Sequence, residues 1–153
     1  MNKMTGMKKL EGIPVIVNEK KCGQVIRGVL NKDGRALRGL MVRTGFLGPR
    51  WLERNQIKVL GKISVIAEGK MRKPPKDAEY RLYRVSDADG ERLGIVTDAL
   101  LNEETLRVAA LEVSAGPMDD LIFGRWYATA FSVLPGQTTG HVTVFCDGRE
   151  GTQ

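Results

Sequence analysis

The chain has 153 residues, of which 42% are hydrophobic and 27% are charged, and it includes 18 glycines. This apolar content excludes a disordered chain, and no apolar run approaches the roughly 18–20 residues that a membrane-spanning helix needs. No secretory signal is visible at the start of the sequence, so we expect a cytoplasmic protein without a membrane span.

The charge is divided unequally between the two halves of the chain. Residues 1–76 contain 18 Lys and Arg against 5 Asp and Glu, a net charge of +13, whereas residues 77–153 contain 6 against 13, a net charge of −7. Three interpretations stay open. The first is that the charged residues of both halves are merely solvated. The second is that the N-terminal half binds an anionic partner, and the third is that the basic and acidic halves attract each other within or between chains.

Taken in chain order, residues 1–67 predict a series of short strands. Apolar runs at 13–17 and 24–30 are followed by turn residues at 31–34, where Asp33-Gly34 suits a tight hairpin. A third strand is expected over 37–42, and a helical turn near 52–56. Strands at 58–60 and 63–67 complete the set.

Residues 68–79 form a polar segment that contains Pro74-Pro75. Proline neither donates to a sheet nor continues a helix, so we expect an extended linker here.

The remainder of the chain repeats the first part. With a shift of 71, seven of the 23 positions in 23–45 match 94–116, where chance gives roughly one or two. Arg50-Trp51 recurs as Arg125-Trp126 at a shift of 75, which indicates a four-residue insertion before Arg125. The segment 105–113 reads as a helix in isolation, but its equivalent in the first copy is a strand, so the repeat favours a strand. Further strands are expected at 132–134 and 142–145.

These elements predict an all-β protein of two tandem small barrels. Each barrel has about five to six short strands with at most a short helical turn, and each surrounds its own apolar interior. The first repeat covers 7–67 and is basic, and the second covers 80–146 and is acidic.

Several short motifs occur in the same order in both copies. Gly23-Gln24-Val25 and Gly94-Ile95-Val96 each introduce a strand, and the next strand ends in Leu40-Met41-Val42 or Leu111-Glu112-Val113. Together with the stretch from Trp51 to Gly61, this order resembles the PRC-barrel family, the small β-barrel named after the photosynthetic reaction centre H subunit. The resemblance covers nearly the whole chain as two copies, and it is best at 89–98.

The resemblance implies a barrel of about six strands and brings no catalytic residues with it. Family members include the reaction-centre subunit, the C-terminal domain of a ribosome maturation factor and small stand-alone proteins, some of them sporulation-associated. This sequence lacks the transmembrane helix of the first and the distinct N-terminal barrel of the second. It is therefore most similar to the stand-alone tandem proteins, and we expect a non-catalytic adaptor that binds a protein partner.

The loop before each Arg-Trp pair is the candidate site. It contains apolar residues, which surface connections normally lack, so these residues either cap the end of their own barrel or anchor a partner. The candidate partner-binding residues are Arg43, Phe46, Leu47, Arg50 and Trp51 in the first repeat, and Leu121, Ile122, Phe123, Arg125 and Trp126 in the second. The acidic pair Asp119-Asp120 lies in the second loop, with nothing in the sequence to orient it.

Nucleic acid is the alternative partner. Lys70, Arg72, Lys73 and Lys76 in the linker could follow the phosphates of RNA or a ribosome, and such binding weakens steeply with salt. Few aromatics are interleaved with these charges, so base stacking has little support.

Metal or thiol chemistry has little basis in the sequence. Cys22, Cys146 and His141 are too few for a zinc site, and two distant cysteines make a poor disulfide framework. We expect reduced, packed thiols, no metal, no cofactor and no enzymatic activity.

Overall fold

The computed structural model describes residues 3–145 and 149–151, which form two β-sheets and one short α-helix. The strands are β1 (Met4–Gly6), β2 (Pro14–Val17), β3 (Lys20–Leu30), β4 (Leu37–Thr44), β5 (Gly48–Glu53), β6 (Ile57–Leu60), β7 (Val65–Ala67), β8 (Arg81–Asp87), β9 (Arg92–Asn102), β10 (Val108–Ser114), β11 (Trp126–Ala128), β12 (Phe131–Pro135), β13 (Thr139–Val144) and β14 (Arg149–Gly151), and the helix is α1 (Pro117–Phe123). One-turn 3-10 helices lie at Met7–Leu10, Gly45–Leu47 and Arg54–Gln56.

The predicted strands are present, and the all-β class is confirmed. The segment that could have been a helix is strand β10, which pairs with β9 on one side and β11 on the other. The helical turn expected near 52–56 is the 3-10 helix Arg54–Gln56. It begins with a capping box in which the Gln56 side chain accepts a hydrogen bond from the Glu53 backbone at 2.9 Å.

The two sheets have the same internal strand order. The first sheet runs β5-β4-β3-β2-β7-β6, and the second contains β11-β10-β9-β8-β13-β12 in the equivalent places. In each sheet one pair is parallel, β2 with β7 and β8 with β13. The duplication found in the sequence is therefore also a duplication of topology, to which β1 and β14 are added at β9 and β11.

The strand register corrects the predicted alignment of the two tryptophans. Met41 pairs with Trp51, and the residue equivalent to Met41, which is Glu112, pairs with Tyr127. Trp51 therefore corresponds to Tyr127, one residue beyond Trp126, and the insertion before this strand is five residues long. A shift of one residue along a strand moves a side chain to the other face of the sheet, so the matching Arg-Trp pairs do not occupy matching positions.

The buried apolar residues of the two repeats form one continuous cluster. Val15, Leu40 and Leu52 of the first repeat belong to the same cluster as Leu101 and Leu111 of the second. The expectation of two separate interiors is therefore wrong. A second, smaller cluster contains Val29, Met41, Trp51 and Ala78.

The repeats meet through equivalent residues of their β3–β4 and β9–β10 hairpins. Ala36 forms an antiparallel bridge with Arg107, which lies 71 positions later and is its counterpart in the repeat. The Leu37 amide donates to the Leu106 carbonyl at 2.8 Å, and the Val108 amide donates to the Arg35 carbonyl at 2.9 Å. With the shift of 71, Leu37 corresponds to Val108 and Arg35 to Leu106, so each hydrogen bond is the counterpart of the other, which gives the molecule a local pseudo-two-fold axis at this bridge.

Each hairpin tip then packs against the opposite repeat. The Arg35 guanidinium lies 4.7 Å from the centre of the Phe131 ring and also donates to the Phe131 carbonyl. In the other direction, Leu106 is buried in the common cluster, and the Arg54 side chain donates to the Thr105 carbonyl at 3.1 Å. The reciprocal packing explains why the interior is continuous.

The linker lies against the first repeat. Arg72 and Trp51 exchange two backbone hydrogen bonds of 2.7 and 3.0 Å, so part of the linker pairs with the edge of β5. Asp77 forms an ion pair with Arg38 at 2.9 Å, and Ala78 is buried in the smaller cluster. The segment predicted as an extended connection is therefore a packed part of the structure.

Candidate functional site

The first candidate loop joins β4 to β5 and presents two apolar side chains to solvent. Phe46 is fully exposed and Leu47 is 70% exposed, in the 3-10 turn Gly45–Leu47. The Thr44 hydroxyl donates to the Gly48 carbonyl at 2.9 Å, across the base of the loop. Gly48 has a φ of 74°, which favours glycine, so the sequence Thr-Gly-Phe-Leu-Gly provides the residues that the turn requires.

The second candidate loop, between β10 and β11, contains α1 (Pro117–Phe123), where the sequence led us to expect a loop. Its end signals are nonetheless present in the sequence, with Pro117 at the first turn and Gly124 immediately after the last residue. No residue of this helix is buried. Its apolar side chains Met118, Leu121, Ile122 and Phe123 are each between 65% and 81% exposed.

The side of α1 that faces the sheet is polar. The Ser114 hydroxyl donates to an Asp120 carboxylate oxygen at 2.6 Å, and Arg125 contacts the same oxygen at 3.4 Å. Asp120 is thus oriented by two side chains, and the expectation that nothing orients it is wrong. A surface helix ordinarily buries its apolar stripe, whereas α1 attaches through a carboxylate and turns its apolar side chains outward.

The half-buried carboxylate of Glu112, on β10, holds Arg125 in place. Glu112 forms an ion pair with Arg125 at 3.0 Å and accepts hydrogen bonds from Thr97 at 2.7 Å and Tyr127 at 3.2 Å. Burial by itself raises the pKa of Glu112, but the donated hydrogen bonds and the Arg125 charge outweigh it and hold the pKa below its ordinary value. Glu112 is therefore charged near neutral pH and supports the Arg125–Asp120 contact.

Trp51 does not belong to the exposed site. It is only 1% exposed, its indole N–H donates to Glu53 at 2.8 Å, and the Arg38 guanidinium lies 5.7 Å from its ring. The prediction that Trp51 is a docking residue is wrong, because its side chain is buried in the smaller cluster.

The other predicted residues differ in how accessible they are. Arg43 and Arg125 are exposed and Arg50 is half-buried, while Trp126 is half-buried against the common core. The alternative in which the loop side chains cap their own barrel is also wrong, since side chains this exposed cover no interior.

The linker cations are accessible. Lys70, Arg72, Lys73 and Lys76 all have exposed side chains, although the backbone of Arg72 is fixed to β5. Lys70 and Arg72 border a shallow cleft that also contains the carboxylates Glu53 and Glu68. Lys70 and Arg72 therefore lie beside acidic groups, so the four linker cations do not form a uniformly basic surface.

A serine and a histidine that the sequence places far apart come together on neighbouring parallel strands. Ser86 Oγ and His141 Nε2 are 2.9 Å apart. Ser86 is buried, and among the described residues no carboxylate lies within hydrogen-bond distance of His141 to orient its ring. A catalytic serine needs access to substrate and an oriented base, and this pair has neither.

The cleft between the repeats is lined by the counterparts Arg27 and Asp98 and has a volume of about 400 Å³. Arg27 forms an ion pair with Glu79 at 2.9 Å and donates to the Ala78 carbonyl at 3.1 Å. Asp98 accepts from the Lys8 amide at 3.1 Å. Both charged groups are therefore engaged within the fold.

Thiol and metal sites receive no support from the described part of the chain. Cys22 is half-buried, with its sulfur 3.3 Å from the Lys20 carbonyl oxygen, and Cys146 lies outside the described residues. Within 3–145 and 149–151, no three His, Cys, Asp or Glu side chains are grouped so that they could hold a metal ion.

The same residues contain no helix with the length and apolar character to cross a membrane. Comparison with known proteins found no family model and no curated protein that matches this sequence.

Proposed function

We propose that this chain is a non-catalytic adaptor made of two PRC-type barrels, and that its two end loops bind a protein partner. The observation that carries the proposal is the reversed orientation of α1, whose polar side chain Asp120 faces the sheet while Leu121, Ile122 and Phe123 face solvent. Exposed apolar clusters on a protein surface are typical of interaction sites.

The repeated strand order supports the barrel assignment. In the first repeat the linker also bridges the two edges of the sheet, because Arg72 pairs with Trp51 on β5 while the Gln56 side chain, next to β6, donates to the Lys70 carbonyl at 3.0 Å. Such bridging protects the sheet edges, as barrel closure does. The two sheets present the end loops on paired strands, which suits an adaptor.

Photocrosslinking in native host cells tests the adaptor function. We replace Phe46 or Phe123 with p-benzoylphenylalanine and use the same replacement at the exposed Gln137, in the β12–β13 turn, as the matched control. The expected result is a discrete crosslinked protein other than the chain itself, obtained from position 46 or 123 and not from 137. Equal crosslinking from all three positions, or none from 46 and 123, would overturn the proposal.

RNA or ribosome binding is the alternative function, and the exposure of the linker cations favours it. Phosphate contacts lose affinity steeply as salt rises, so the measurement is binding of the purified chain to generic RNA over a salt series. The alternative expects tight binding at low salt that is lost when Lys70, Lys73 and Lys76 are all replaced by Ser. Absence of binding at low salt eliminates it.

A further inference from the structure

The loop with Phe46 and Leu47 lies at a basic end of the first sheet. Strand β3 is antiparallel to both β2 and β4, so the β2–β3 turn lies at the same end as the β4–β5 loop. We define the basic end by Phe46 and Leu47 with the exposed cations Lys20, Lys21 and Arg43. Glu19, in the β2–β3 turn, is also present at this end.

The equivalent end of the second sheet is acidic. The β8–β9 turn lies beside α1 for the same topological reason, since β9 is antiparallel to both β8 and β10. We define the acidic end by Met118, Leu121, Ile122 and Phe123 with the exposed carboxylates Asp89, Glu91 and Asp119. Arg92 and Arg125 are cations at this end, and Arg125 is ion-paired with Glu112 and Asp120.

The two ends point away from each other. At the Ala36–Arg107 bridge the two backbone segments of the chain run antiparallel, so β4 and β10 leave the bridge in opposite directions. Each strand spans roughly 25 Å at about 3.3 Å per residue. The basic and acidic ends therefore cannot meet within one chain, and their complementary charges can pair only between two copies.

We propose that copies of this chain associate end to end, with the basic end of one docked on the acidic end of the next. Inside such an assembly each exposed apolar cluster is covered by the cluster of opposite charge on a second copy, and the two clusters at the outer ends stay free for the protein partner. The proposal rests on the proposed function in that it uses the same end loops as docking surfaces. A contact between two different surfaces leaves a free end at each side, so the association is heterologous and extends into open chains.

Sedimentation velocity of the purified full chain measures this association. The expected result is a mass that grows past the dimer as protein concentration rises, with weaker growth at high salt because charge pairing is screened. Phe46→Ser with Leu47→Ser removes the apolar cluster of the basic end, and Leu121→Ser with Ile122→Ser removes that of the acidic end. Each doubly substituted chain alone should associate at least about tenfold more weakly, as loss of a central apolar anchor does.

Mixing the two doubly substituted chains gives the sharper result. Each retains the end that the other has lost, so the mixture should form a 1:1 dimer that grows no further. Association through one self-complementary surface predicts no such dimer. Ile63→Ser is the matched control, because Ile63 is 86% exposed but lies in the β6–β7 turn at the other end of the first sheet. The control should associate as the unsubstituted chain does.

A monomeric chain at every concentration overturns the inference, as does a mixture without the 1:1 dimer or a control that loses association equally. Flotation with phosphatidylglycerol vesicles identifies the rival occupant, a lipid surface. A monomeric chain that binds these vesicles through Phe46 and Leu47 would replace self-association with membrane docking. The adaptor function fails separately, because it depends on crosslinking to a different protein in cells, which this experiment with purified protein does not involve.

Discussion

Ala36 and Arg107 occupy the same position in two copies of one sequence repeat, and their backbones pair with each other in the middle of the molecule. A surface that pairs with its own counterpart is the arrangement of a two-fold symmetric dimer. In this chain both partners lie on one polypeptide, and the hairpins that carry them pack into the opposite repeats. The contact therefore makes the stability of each repeat depend on the other.

Leu106→Ala tests this dependence. Leu106 belongs to the second repeat but is buried in the common core beside the first, so its truncation should cost about 2–5 kcal/mol of unfolding free energy. The measurement is urea unfolding followed by the fluorescence of Trp51, in a Trp126→Phe background so that only the first repeat reports. We expect the Trp51 transition to move to lower urea, although the substitution lies in the other repeat.

Leu134→Ala in the same background is the control. It is the same chemical change at a side chain that is 76% exposed, and it should alter the unfolding free energy by less than about 0.5 kcal/mol. A Trp51 transition that stays in place for Leu106→Ala would show that the two repeats unfold independently.

Gly39→Ala should destabilise the chain because Trp51 fills the space beside Gly39. A methyl group at Gly39 would lie 2.4 Å from the Trp51 ring and 2.6 Å from the Leu52 carbonyl oxygen, and relieving such overlap costs about 1–3 kcal/mol or more. Thermal unfolding measures the loss. The counterpart of Gly39 is Ala110, and Ala110→Gly should cost only about 0.5–1 kcal/mol as an interior strand glycine. An unchanged midpoint for Gly39→Ala contradicts the packing described.

The sequence predicted the strands well because their apolar residues alternate and are separated by turn residues, and because each half corrected the other. Strand β10 is the clearest instance, since its own sequence fits a helix and only the first copy identifies it as a strand. The positions of exposed apolar residues were also accessible to prediction, because Phe46, Leu47, Leu121 and Ile122 lie between strands in the sequence, although the last two belong to helix α1 and not to a loop.

Three features could not be predicted from the sequence, namely the register of β11, the common interior and helix α1. Arg50-Trp51 and Arg125-Trp126 match as letters, but the register of β11 is set by pairing with β10, and it places Tyr127 opposite Glu112. The common interior arises from contacts between the two repeats, such as Arg35 with Phe131, whose partners lie far apart in the sequence. Helix α1 has Pro117 and Gly124 at its ends, but it has no buried apolar face, which is the usual signal for a helix.

Asp120→Ala should loosen α1 without unfolding the sheets. The substitution removes the hydrogen bond from Ser114 and the contact with Arg125, the side-chain interactions that hold this helix to β10 and the start of β11. Hydrogen exchange followed by mass spectrometry should show faster exchange in 117–124 and unchanged protection in β9 and β10. Asp119→Ala is the control, since that side chain is exposed and lies next to Asp120. Equal exchange in both substituted chains would mean that Asp120 does not anchor the helix.

The Glu112 network makes stability depend on pH in the acidic range. The pKa of Glu112 is lowered from its ordinary value of 4.5, so the folded chain holds the charged form more strongly than the unfolded chain does. Its stabilisation is therefore fully present above about pH 4.5 and is lost as the pH falls through the folded-state pKa.

Glu112→Gln should be less stable than the unsubstituted chain at neutral pH, and the difference should shrink as the pH drops below about 4.5, because the unsubstituted chain then loses the same charge. Urea unfolding at a series of pH values measures the unfolding free energy of both chains as a function of pH. Tyr127→Phe removes one of the donors to Glu112, at 3.2 Å, and leaves the Arg125 ion pair in place, so it should give a smaller effect of the same sign. Two curves that stay parallel from neutral to acidic pH would show that Glu112 is not stabilised as a carboxylate by Thr97, Arg125 and Tyr127.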